Sequence, residues 1–71
     1  MERDAAKAIT EQVEGAIARL SQSLSLAKRA LPPSEFFAFQ KSVGLVIGRL
    51  SHELLDPIYA EYPDLAPPGV L

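Results

Sequence analysis

Seventy-one residues without a cysteine, 48% of them hydrophobic and 23% charged, give a single small domain that neither a disulfide nor a thiolate metal site can staple. The formal net charge of −2, from seven Lys and Arg against nine Asp and Glu, gives no overall basic surface of the kind that drives phosphate binding. With a single histidine a closed structural zinc site would need an all-carboxylate complement, which leaves oligomerisation as the staple still open to so short a chain.

The chain opens Met1-Glu2-Arg3-Asp4, with charges of both signs and no continuous apolar stretch behind them. It lacks the pattern of a secretory signal, and a cytoplasmic protein is the expectation. From Asp4 to Ala30 there is no proline, and Ala, Leu, Lys, Arg, Glu and Gln dominate, the residues that lose least on entering a helix. Ala6, Ile9, Val13, Ala16, Leu20, Leu24, Ala27 and Leu31 step by three or four, and Ile17 widens the stripe. That period predicts a helix over 4–30. Acidic residues sit in its first half and Arg19, Lys28 and Arg29 in its second, as the helix dipole favours.

Leu31-Pro32-Pro33-Ser34 predicts a stop and a fresh start, because a residue before proline is driven out of the helical region while Pro33 suits a first helical position. A turn at 31–33 between two long helices makes them antiparallel neighbours. The second helix is expected over 33–55. Phe36, Phe39, Val43, Val46 and Leu50 form one seam, and Phe37, Leu45, Ile47, Leu54 and Leu55 a second beside it. A helix apolar almost all round is buried on more than one side, and the first helix covers only one.

Asp56-Pro57 predicts a break or a kink, with Asp56 suited to cap a new short helix over 57–62. Pro63, Pro67 and Pro68 then predict an extended tail over 63–71, which would lie free or strap across a partner subunit. The sequence thus reads as an all-α antiparallel helical hairpin, residues 1–62, with a short C-terminal helical turn and a proline-rich tail, pairing into a four-helix-bundle homodimer. Its apolar run from Ser42 to Gly48 is far short of the roughly 20 residues that cross a bilayer.

Chemistry is sparse. The serines at 21, 23, 25, 34, 42 and 51 stand in no nucleophile elbow, no glycine loop cradles a phosphate, and no catalytic set is present. His52 lies four residues from Asp56, but two ligands do not make a metal site, and a solvated histidine near a helix end is the simpler reading. No cofactor is implied. Gly44 and Gly48, four apart, read as a place where another helix backbone approaches closely. The expected oligomer interface is Phe36, Phe39, Val43, Gly44, Ile47, Gly48, Leu54 and Tyr59, with a second copy as partner and another protein beyond it. Lys28, Arg29 and Lys41 at the hairpin end offer the alternative, a small nucleic-acid-binding regulator. No motif ties the chain to a known family.

Overall fold

The computed structural model describes residues 1–67, and its order is α1 (Arg3–Ala30), α2 (Pro33–Leu50), a π turn (Ser51–Leu55), α3 (Asp56–Glu61) and a 3₁₀ turn (Pro63–Leu65). At 28 residues α1 is about 42 Å long. It forms without a side-chain cap at Glu2, so its start rests on backbone bonds such as Ala6 N–H to Glu2 O at 2.8 Å. Leu31 stops it: held before Pro32, this residue takes extended backbone angles, φ −109° and ψ 147°, while its N–H still closes onto Ala27 O at 2.9 Å. Pro33 opens α2 only two residues after α1 ends, so the two helices fold back side by side.

No break follows Leu55. The expected cap at Asp56 is absent: Asp56 is itself helical, at φ −55° and ψ −43°, and makes no capping bond. Instead its N–H reaches back five residues to Ser51 O, and the path from Pro33 to Glu61 runs on through the π turn. The reason is Pro57. In a regular α turn its ring clashes with the carbonyl four residues back and it has no N–H to give. A wider turn just ahead of it absorbs both defects without ending the helix.

That turn also changes which residues face α1. Val43 is buried and Phe36, Ile47 and Leu50 half-buried along the inner line of α2. Continuing by four from Leu50 gives Leu54, yet it is Leu55 that is 4% exposed and Leu54 that is 46% exposed. One extra residue in the turn sets everything downstream back by about 100°. Ile58 and Tyr59 follow Leu55 inward, against the N-terminal half of α1, where Ala6 and Thr10 are buried.

The chain beyond α3 does not begin as an extended tail. Leu65 N–H bonds Tyr62 O at 3.0 Å and Ala66 N–H bonds Pro63 O at 3.2 Å, closing a 3₁₀ turn that Pro63 starts with its fixed φ. The Tyr62 hydroxyl donates to the Met1 carbonyl and Arg3 pairs with Asp64, so the turn is fastened to the start of α1. The Arg3 guanidinium, by hydrogen bond first and charge second, holds the Asp64 carboxyl below the usual carboxylate range. The remainder of the expected tail, 68–71, lies outside the described residues.

The radius of gyration, 14.5 Å, exceeds the about 11 Å of a compact chain this long, as a hairpin 45 Å in length must. Its core is correspondingly thin. Ala6, Ala27, Val43, Leu55, Ile58 and Tyr59 are its buried apolar residues, and no large side chain among the described residues is fully enclosed.

Candidate interaction surface

Among the described residues eight large hydrophobic side chains remain exposed, and their exposures fall into groups that follow the geometry of the pair. Apart from Met1, at the start of the chain, Phe37, Leu45 and Leu26 are 61–65% exposed and point away from the partner helix. Ile9, Phe39, Val46 and Leu54 are 38–47% exposed, which is what a side chain shows when one side of it rests on the neighbouring helix.

These four lie on one side of the hairpin. On α2, Phe39 falls about 40° short of Val43 round the helix and Val46 about 60° short, counting 100° per residue. Leu54 falls about 100° short of Leu55. On α1, Ile9 falls about 60° short of Ala6 and 40° short of Val13. In antiparallel neighbours the same sense of rotation from the core line, read from N to C, leads to the same side of the pair. The flank therefore draws on both helices, with Ala16, Leu20 and Leu50 between; the charged residues in line with it, Glu2 seven residues before Ile9 and Glu35 four before Phe39, stand at its two ends.

The glycines belong elsewhere. Gly44 and Gly48 each stand two residues from Val46, about 200° away, on a line that runs on to Phe37. A methyl group added at either would meet nothing within 4 Å. The eight residues expected to form one interface thus divide three ways. Val43 and Tyr59 are buried in the chain's own core, with Phe36 and Ile47 half-buried beside them. Phe39 and Leu54 lie on the flank, and Gly44 and Gly48 on the outer face of α2. Ile9 and Val46 were readable as apolar positions, but only the side on which α1 docks reveals that they join Phe39 and Leu54.

Two of the grooves among the described residues bear on the candidate surface. One, of about 260 Å³, runs between α1 and the π turn and is lined by Glu14, Ile17, Ser51, Leu55, Asp56, Tyr59 and Pro67. At its wall the Tyr59 hydroxyl donates to Glu14 Oε1 at 2.9 Å. Burial, with that hydrogen bond to a carboxylate second, pushes the Tyr59 hydroxyl up to about 12. The other groove, of about 400 Å³, lies at the hairpin end, where Lys28 and Gln40 border Leu31, Pro33, Phe36 and Phe37. The two phenyl rings there sit 6.0 Å apart.

His52 Nδ1 lies 3.2 Å from Asp56 Oδ2, and the histidine side chain is 84% exposed. Arg49 and Glu53 form a parallel exposed pair at 3.2 Å. Among the described residues no three His, Cys, Asp or Glu side chains gather closely enough to hold a metal ion, and no helix is long and apolar enough to cross a membrane. No known protein family, curated protein or solved structure matches this chain.

Proposed function

We propose that this chain is a non-enzymatic interaction module that works as a homo-oligomer, two hairpins pairing into a four-helix bundle. One observation carries the reading: a helical pair that fully encloses no large side chain leaves eight large hydrophobic residues exposed. A soluble monomer scatters such residues singly, whereas a row of them along both helices is the mark of a surface made to be covered. The absence of cysteine removes the disulfide that a lone domain of this size would otherwise draw on.

Light scattering with thermal melts over a hundredfold range of concentration tests the proposal. The expected result is a mass of twice 7.7 kDa and a melting temperature that falls on dilution. A mass of 7.7 kDa with a melt indifferent to dilution overturns it.

A second reading has one observation in its favour. Lys28 borders the same groove as the exposed Phe37 and the half-buried Phe36, so a cation and one exposed aromatic ring meet at the hairpin end, the pairing on which single-stranded nucleic acid stacks. Binding of single-stranded RNA that weakens steeply with salt would carry this reading; its absence at low salt would end it.

A further inference from the structure

We infer that the surface through which two copies meet is the lateral flank bearing Ile9, Phe39, Val46 and Leu54, and that the glycine line of α2 faces away from the contact. The inference rests on the homo-oligomer reading and goes further by assigning the face. Three observations bear on the choice of occupant and place.

Extent comes first. The hairpin is 45 Å long and 19 Å across, so a side-on contact reaches the footprint of about 800 Å² per partner that stable pairs bury. The glycine line belongs to a single helix about 10 Å wide, and a contact along it alone covers roughly half as much. Unlike that line, the flank engages both helices, as each half of a four-helix bundle must.

Continuity comes second. Leu20 and Leu50 are half-buried between the two helices and adjoin the flank. A second hairpin laid there would enclose them together with Ile9, Phe39, Val46 and Leu54, extending the thin core of each copy into one shared interior. Nothing comparable lies behind Gly44 and Gly48, where a methyl group would meet open space.

Chemistry comes third. The centre of a stable interface is depleted of charge. On the flank the charges in line, Glu2 and Glu35, stand at the two ends, whereas on the glycine face Lys41 sits mid-line, one turn after Phe37 and two before Gly48. A partner identical to the chain offers the same apolar flank, and a two-fold axis brings each residue of it into the contact twice.

The test places one new charge on each side of α2, two residues apart. In sedimentation of the full chain, Val46→Glu and Ile9→Glu should each raise the dimer dissociation constant by at least about 100-fold, since each buries two unpaired carboxylates. Gly48→Glu should leave it within about threefold, because an exposed charge rarely matters. Helicity by circular dichroism should be unchanged in all three, as each site is exposed in the single hairpin. Dissociation by Gly48→Glu with Val46→Glu and Ile9→Glu still paired overturns the assignment and leaves the homo-oligomer standing. A wild-type chain that is monomeric throughout overturns both.

Discussion

The Tyr59 phenol ties the stability of the fold to alkaline pH. Its ring is 7% exposed and its hydroxyl donates to Glu14 Oε1 across the α1–α3 contact, so loss of the proton would leave two negative oxygens 2.9 Å apart in a poorly solvated site. Burial first and the carboxylate second raise its pKa from 10.0 to about 12. The sign follows from proton binding. Between those two values the unfolded chain has already lost the phenolic proton and the folded chain keeps it, so stability falls as pH rises. The loss begins near the unfolded value and is complete above about 12. Two units correspond to at most about 2.7 kcal/mol, the upper bound because solvent reaching the groove screens part of the effect. Against a total of about 4 to 11 kcal/mol for a chain of this length, that upper bound is about a quarter to two thirds of the stability.

The assay is chemical unfolding at a series of pH values, for the wild type and for Tyr59→Phe at fixed concentration. The substitution leaves every other titratable group in place, so the difference between the two curves isolates Tyr59. The variant should lose about 1 kcal/mol at neutral pH, one hydrogen bond to a half-buried carboxylate that water can re-solvate, and should then lack the additional fall above pH 10. Tyr59 and Tyr62 are the only tyrosines, and tryptophan is absent, so ultraviolet absorbance follows tyrosinate formation directly. Burial first raises the Tyr62 hydroxyl as well, so both phenols should titrate above the ordinary range, and the step that vanishes in the variant is that of Tyr59. Parallel curves for the two proteins, or a single step near 10 for both phenols, would refute the account of the Glu14 contact.

Thr10 is 4% exposed with no partner for its Oγ1, so Thr10→Val, of equal shape and similar helix propensity, should stabilise the fold by about 1 kcal/mol in denaturant melts; a loss would show that the hydroxyl is bonded after all. Gly48→Ala should add up to about 1 kcal/mol through helix propensity alone, with pairing unchanged by sedimentation, and a weakened dimer would mean that the glycine meets a partner. His52→Ala should alter stability by no more than about 0.5 kcal/mol and leave metal content unchanged, while stoichiometric metal lost in the variant would reopen the case for a site at His52 and Asp56.

What was legible in the sequence follows from how local each signal is. The stop at Leu31 and the start at Pro33 are steric consequences of two adjacent prolines and need no tertiary context, so the hairpin and its turn could be read directly. The same proline rule misleads at Pro57. There the helix has somewhere to go: Leu55, Ile58 and Tyr59 all bury against α1 if the chain continues, and a single π turn is a smaller cost than abandoning that contact. Pro63 misleads in the opposite direction, since the bonds of its 3₁₀ turn and the ties of Tyr62 and Asp64 to α1 are long-range facts. At the surface, helical spacing revealed that α2 is apolar on several sides but not which side α1 would take. Phe39 and Leu54 could therefore be picked out, yet Val43 and Tyr59 looked equally eligible until the fold buried them.

The π turn decides the composition of the flank. Were Pro33–Glu61 an unbroken α-helix, the three-and-four spacing from Val43 through Ile47 and Leu50 would carry Leu54 and Ile58 into the core and swing Leu55 about 100° outward. Tyr59 would turn with it, away from the inner line on which it now meets Glu14, and the buried hydrogen bond at 2.9 Å would be lost. With the extra residue, the core instead takes Leu55, Ile58 and Tyr59, and Leu54 moves to the side where Phe39 and Val46 already lie. One residue of slippage at Ser51–Leu55 therefore does two things at once: it seals the open end of the hairpin with a tyrosine, and it lengthens the apolar row along the flank by a leucine. Pro57 is what makes that slippage the favoured path, so the residue that looked like the end of a helix is the one that aligns its two surfaces.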